Sequence, residues 1–283
     1  MTYIAFFDVD GTLCDSSGEV LDTSRESIKK FRDEGNLAYI CTGRSKPEIL
    51  DDILSVGFDG VIGAGGGYVV VEDKVIKHLT MPKDSVENIV AFFKQHDIGY
   101  YLESNDGLFG SENCIRKIKE EIKAIADKTG ESFKELDDKN QWFYDVLESH
   151  KGQHIDYGNV NKISFINNTL PFSDIADTFG EQFHMYHSTV PLFGPESGEI
   201  AVRGIDKKKA VSYVLEYLDM PKNKAIAFGD GDNDISMFEA VGYGIAMDNA
   251  TDKLKSIAHE VTKDADEHGI AISFEQQNWK NER

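Results

Sequence analysis

Tyr3-Ile4-Ala5-Phe6-Phe7-Asp8-Val9-Asp10-Gly11-Thr12-Leu13 decides how the rest of this sequence is read. The apolar run over 3–7 predicts a buried strand, and two carboxylates and a glycine follow it at once. Working outward, the patterning predicts a helix over 24–32, a strand over 37–41, a second helix over 46–56 and a short strand over 60–63. Strand and helix in regular succession predict a parallel sheet with crossover helices. A glycine cluster over 63–67 then punctuates the chain before a hairpin of strands over 68–72 and 75–78, turning at Asp73.

The same alternation returns towards the C-terminus. Helices are predicted over 207–218, 232–240 and 252–258, with strands over 225–228 and 244–247. The polar residues 276–283 are expected to fray. Between these two parts the character changes. Helices over 84–95 and 112–128 are mixed with strands over 100–103, 162–167, 184–188 and 199–202, and polar stretches over 131–141 and 148–161 interrupt them. The expected class is therefore α/β: a Rossmann-like parallel-sheet core from residues 1–81 and 203–283, with an α+β module inserted over 82–202. Trp142, Phe143 and Tyr144 are expected to pack that module.

Composition narrows the function classes. With 40% hydrophobic and 28% charged residues the balance is that of an ordinary globular protein. No apolar run approaches the roughly 20 residues that cross a bilayer. The N-terminus meets acidic Asp8 without a basic flank or cleavage site, so neither a signal peptide nor a membrane partner is expected. Cys14, Cys41 and Cys114 are odd in number and widely spaced, which suits reduced thiols in the cytoplasm. A net charge of −20 repels nucleic acid, which needs a cationic stripe. It also repels phosphate esters, so a phosphate site here needs its own local positive charge.

Four segments supply such a site. In open parallel sheets ligands collect beyond the carboxyl ends of the strands, where Asp8, Thr42, Lys207 and Asp230 are all predicted to lie. Asp8 and Asp10, two apart in extended chain, would project to one side. One could attack phosphorus while the other moves protons; a solvated pair at a strand end has the same spacing. Thr42-Gly43-Arg44 offers a hydroxyl, unhindered amides and a guanidinium, all suited to phosphate oxygens, although a helix cap with a surface arginine reads the same way. Asp230-Gly231-Asp232-Asn233-Asp234 is a hard-oxygen cluster of the kind that takes Mg²⁺. A calcium EF-hand beginning at Asp230 is excluded, because Ile235 and Val241 stand where glycine and glutamate are needed. Lys207, Lys208 and Lys209 open a helix, and charge alone does not single out one of them. Tyr68 breaks any dinucleotide-binding glycine pattern, and the histidines show no metal spacing.

In this order and combination the segments resemble the haloacid dehalogenase (HAD) superfamily, in its Cof-like phosphatase branch with a large α/β cap. Asp8-Val9-Asp10-Gly11-Thr12-Leu13 matches the first motif and Thr42-Gly43-Arg44 the second. Gly204-Ile205-Asp206-Lys207 matches the third, selecting Lys207 over its neighbours, and Gly229-Asp230-Gly231-Asp232-Asn233-Asp234 the fourth. The resemblance implies that Asp8 is the nucleophile and that Asp10 protonates the leaving oxygen and later activates water. It implies that Thr42 and Lys207 bind the phosphoryl group, and that Asn233 orients the phosphate and metal shell. Asp8, the Asp10 carbonyl, Asp230 and Asp234 would hold Mg²⁺. The inserted module would be a cap that sets specificity. The implied activity is Mg²⁺-dependent hydrolysis of small phosphorylated metabolites, with sugar phosphates leading. A phosphomutase of the same superfamily and a weakly catalytic phosphometabolite-binding regulator are the alternatives. Gly65-Gly66-Gly67 stands where the branch often has Asn-Gly-Ala, and Lys208 where a glycine often follows the motif lysine.

Overall fold

A computed structural model describes residues 2–188 and 190–280 of the chain. In chain order the elements are β1 (Ile4–Phe7), α1 (Asp22–Asp33), β2 (Leu37–Cys41), α2 (Asp51–Leu54), β3 (Gly60–Gly63), β4 (Tyr68–Val71) and β5 (Lys74–His78). They continue with α3 (Lys83–Gln95), β6 (Gly99–Ser104), β7 (Gly107–Gly110), α4 (Cys114–Thr129), α5 (Phe133–Asp138), α6 (Gln141–Ser149), β8 (Val160–Ile166), α7 (Phe172–Phe179), β9 (Phe183–His187) and β10 (Gly198–Val202). The last are α8 (Lys207–Tyr217), β11 (Ala225–Gly229), α9 (Ile235–Phe238), β12 (Tyr243–Ala246), α10 (Asp252–Ile257), β13 (Glu260–Val261) and α11 (Gly269–Gln276). One compact unit takes the described residues up to Arg44, Glu48–His78 and those from Ile205 onward; the other takes Ser45–Pro47 and Leu79–Gly204.

The first unit is built on a sheet ordered β13-β12-β11-β1-β2-β3-β4-β5. Its pairings from β13 through β3 are parallel, and the β4–β5 hairpin adds two antiparallel strands at one edge. Strand β1 lies centrally and is wholly buried, because its two faces feed two separate cores. Ala5 and Phe7 join α1 and α11 through Ile28, Phe31, Ile270 and Phe274. Ile4 and Phe6 join α8 through Ala210, Val211 and Val214. A strand covered by helices on both sides must be apolar at every position, which is why residues 4–7 show no polar alternation. Phe7 stacks on Phe228 of β11 with ring centroids 5.0 Å apart, fixing the two strands whose ends carry the acidic loops.

The second unit is an antiparallel sheet ordered β7-β6-β8-β10-β9. Ile163 and Phe165 of β8 pack with α3 and α7, while Ile166 and Tyr101 pack with α4, α5 and α6. The fold is thus an α/β chain with a largely parallel core sheet and an inserted antiparallel sheet. No helix among the described residues is long and apolar enough to cross a membrane.

Several elements differ from expectation for physical reasons. The helix expected over 46–56 breaks into a single 3₁₀ turn at Lys46–Glu48 and the short α2. Pro47 has no amide to donate, and Leu50 adopts extended backbone with ψ 156°. The polar stretch over 131–141 conceals α5, and α6 fills the gap between the two stretches; both are held by Leu136, Phe143, Tyr144 and Leu147. Trp142, expected in that packing, is instead exposed. The tail expected to fray from residue 276 is anchored by Trp279, which is 4% exposed and meets Phe274 edge-on at 5.4 Å; residues 281–283 lie outside the described ones.

Gly66 packs closely against the start of α8. Its φ is +111°, and a β-carbon there would lie 2.7 Å from the Asp206 carbonyl oxygen and 3.0 Å from the Ala210 methyl. Gly66→Ala should therefore destabilise the chain by about 1–3 kcal/mol, from backbone strain and displacement of the start of α8. Gly43→Ala meets nothing within 4 Å and should change stability by less than about 0.5 kcal/mol. Thermal unfolding of the two variants beside the parent checks the contrast.

Candidate active site

Strand β1 ends at Phe7, and the Asp8 amide donates to the Phe228 carbonyl (3.0 Å), carrying the chain one residue past the sheet. The chain then turns sharply: the amides of Thr12, Leu13 and Cys14 all donate to the Val9 carbonyl. Gly11 makes this possible with φ +75°. A β-carbon there would sit 2.4 Å from an Asp230 carboxylate oxygen, so only glycine lets the two loops approach.

Asp8 is 5% exposed and Asp234 fully buried. Between them lies the ammonium of Lys207, which donates to Asp8 Oδ1 at 2.6 Å and to Asp234 Oδ1 at 2.5 Å. The other Asp234 oxygen accepts the amides of Asp230 (3.1 Å) and Gly231 (3.0 Å), which fixes the acidic loop against its own main chain. Lys207 opens α8, whose N-cap Asp206 accepts the Lys209 amide at 2.7 Å. The three consecutive lysines are no longer equivalent. Lys208 pairs with Glu239 at the surface, Lys209 is exposed near Asp206, and Lys207 alone of the three turns inward.

The other expected residues take different places. Thr42 is buried at the carboxyl end of β2, the strand beside β1; its hydroxyl accepts the Arg44 amide at 3.1 Å. The Arg44 guanidinium, expected to face phosphate, grips the Asp10 carboxylate at 2.6 and 3.0 Å. Asp10 is solvent-facing, so the two carboxylates expected side by side have opposite surroundings. Asn233 is exposed, and its main-chain carbonyl accepts the Ser236 hydroxyl at 3.2 Å. Two residues that the sequence did not single out belong here. Thr12 donates to Asp230 at 3.2 Å, and Asn249 donates to both the Gly11 carbonyl (3.0 Å) and Asp230 (3.2 Å). Asn249 follows β12, so the strand-end rule that found Asp8 and Asp230 would also have found it.

Charge is badly out of balance in this pocket. Asp8, Asp230 and Asp234 each bring a carboxylate oxygen within 4.8 Å of the other two, and this is the acidic group of that kind among the described residues. Burial, then the Asp234 charge, push Asp8 up to about 8, although Lys207 works against them. Burial and Asp234 likewise push Asp230 up to about 6. Burial opposes the charge on Lys207, but Asp8 and Asp234 outweigh it and hold the ammonium firmly protonated. One ammonium cannot neutralise three carboxylates. A divalent cation would supply the missing charge, and an all-oxygen donor set is what Mg²⁺ takes.

A sequence profile of haloacid dehalogenase-like hydrolases matches residues 5–273. The chain belongs to the haloacid dehalogenase-like hydrolases. Among relatives of this hydrolase, YkrA of Bacillus subtilis (strain 168) is 28% identical over 279 residues, covering 96% of each chain. YwtE of the same bacterium, a 5-amino-6-(5-phospho-D-ribitylamino)uracil phosphatase, is 26% identical and covers 95% of this chain and 96% of its own. A solved structure from Geobacillus kaustophilus HTA426 superposes with a TM-score of 0.79 at 21% identity, over 99% of this hydrolase and all of that chain, and so shares its fold.

The raised Asp8 gives a pH signature. Its ordinary value is 3.8, so with no cation bound the folded chain keeps a proton that the unfolded chain has already released. This contribution to stability is complete below the ordinary value and is lost as pH rises towards about 8. A cation binds the ionised form, so Mg²⁺ should raise the unfolding temperature more at about pH 9 than at about pH 5. Asp8→Asn should flatten the metal-free profile between those values. Thermal scans with Mg²⁺ and with chelator check both.

Proposed function

We propose that the chain is a phosphatase that releases inorganic phosphate from small phosphorylated metabolites through an aspartyl-phosphate on Asp8, with sugar phosphates the leading substrate class. The observation that carries this reading is the buried Asp8, held by the Lys207 ammonium at 2.6 Å beside Asp230 and Asp234. A carboxylate buried at that cost in a hydrolase has a use as a nucleophile that a purely structural ion pair lacks. The sugar-phosphate class is supported by YwtE, whose named substrate carries a phosphorylated ribityl chain.

In the proposed reaction an Asp8 oxygen attacks phosphorus, and the bond from phosphorus to the substrate oxygen breaks. Asp10 gives that oxygen a proton. A water molecule, losing its proton to Asp10, then attacks phosphorus and restores the Asp8 carboxylate. Lys207 holds Asp8 in line and, with the Thr42 hydroxyl and the Gly43 amide, meets the phosphoryl oxygens. Asn233, in the acidic loop between Asp230 and Asp234, orients the phosphate and metal shell. Side chains of Asp8, Asp230 and Asp234, with the Asp10 carbonyl, are the groups that would hold Mg²⁺. The ion, when bound, offsets negative charge on the phosphoryl oxygens.

Residues 82–202, the inserted module, are assigned to substrate selection as the cap, leaving residues 1–81 and 203–283 as the catalytic core. A cytoplasmic setting suits three buried cysteines that form no disulfide. Phosphate release measured over sugar phosphates, pyridoxal phosphate, flavin mononucleotide and nucleotides tests the reading. Release should require Mg²⁺, stop with chelator, and fall at least about a thousandfold in Asp8→Asn. Release that survives Asp8→Asn would sink the assignment.

A further inference from the structure

Arg44 reads from the sequence as a phosphate donor, yet all three of its guanidinium nitrogens face protein acceptors. Nε donates to Asp10 Oδ2 at 3.0 Å, Nη2 to Asp10 Oδ1 at 2.6 Å, and Nη1 to the Glu48 carbonyl at 2.8 Å. The two side chains are held very differently, with Arg44 17% exposed and Asp10 65%. The arginine is the fixed member. It is packed and tied to main chain, and its own amide donates to the buried Thr42 hydroxyl. Asp10 has a fixed backbone, since the following amides close a turn on Val9 and Asp10 bridges to Cys14. Its carboxylate, left to itself, would sample several rotamers in solvent. A two-point fork fixes both the direction and the plane of a carboxylate, which a single contact does not do.

An ion pair this exposed on one side adds little to stability, so its consequence lies in geometry. We propose that Arg44 is a positioning residue for Asp10 and not a ligand for phosphate. It holds the proton-transferring carboxylate in one orientation at the mouth of the Asp8 loop. The proposal rests on the catalytic reading above, in which Asp10 serves the leaving oxygen and then water.

The two roles for Arg44 separate in one set of measurements. Arg44→Gln, Arg44→Lys, Asp10→Asn and the Arg44→Gln/Asp10→Asn double variant are compared with the parent, all with Mg²⁺. Turnover of the best substrate is measured, together with orthophosphate binding by calorimetry. As a positioning residue, Arg44→Gln lowers kcat by about ten- to a hundredfold, part of what acid–base catalysis contributes. KM and orthophosphate affinity stay within about twofold, and the double variant is no slower than Asp10→Asn alone. Arg44→Lys keeps the charge but not the fork, so it should recover little turnover. It carries the same test if Arg44→Gln does not fold.

A phosphate ligand behaves otherwise. Orthophosphate affinity falls about tenfold or more in Arg44→Gln, Arg44→Lys restores much of it, and the losses of the two single variants multiply. That pattern overturns the proposal. Asp8→Asn is measured alongside. Turnover that persists in it counts against the aspartyl-phosphate reading, whereas the coupling between Arg44 and Asp10 is read from the other variants.

Discussion

The ammonium of Lys207, lodged between Asp8 and Asp234, is the interaction on which the rest of the first unit depends. Taking an ammonium and two carboxylates out of water costs several kcal/mol per ion, and only close geometry with further hydrogen bonds offsets it. The structure supplies both. Asp234 spends its second oxygen on two loop amides, and α8 is pinned through Ala210, Val211 and Val214 into the core beneath β1. Gly66 then allows the chain to pass against the start of α8 where any side chain would push it away.

This placement breaks a rule of helix design. Cations at a helix N-terminus oppose the macrodipole, each by about 0.3–1 kcal/mol at exposed positions, and α8 opens with three of them. Asp206 offsets part of the cost as N-cap, Glu239 pairs with Lys208, and the two buried carboxylates take Lys207. The macrodipole and the ammonium therefore add at the same spot, facing Asp8. Local rules tend to be broken where function demands it, and here the violation places positive charge in a chain whose net charge is −20.

The core sheet was legible because burial on both faces erases alternation, so 4–7, 37–41 and 225–229 stand out as short apolar runs. The inserted module was less legible. Its α5 carries a single buried anchor, Leu136, among many charges, and the short β7 holds two glycines in four residues. The helix expected over 46–56 contains Pro47, and the structure breaks it into a 3₁₀ turn and the short α2. Within the site, the strand-end rule found Asp8, Thr42 and Asp230, but spacing could not tell which of three lysines turns inward. The partners of Arg44 were not legible either, since a guanidinium fits a carboxylate and a phosphate equally well.

The contrast between Asp8 and Asp10 shows where reading by periodicity stops. Residues two apart share a face only while the chain remains extended. Strand β1 ends at Phe7, and the turn on Val9 begins immediately after, so the second carboxylate is carried out of the plane that the first one keeps. Asp8 enters a dry pocket beside a buried ammonium, while Asp10 stays at the solvent edge with a guanidinium. Two carboxylates in identical surroundings would compete for one role. A nucleophile needs a fixed oxygen shielded from water, and a group that exchanges protons with water needs access to it. One turn of chain, permitted by the left-handed backbone of Gly11, gives two neighbouring aspartates these two different environments.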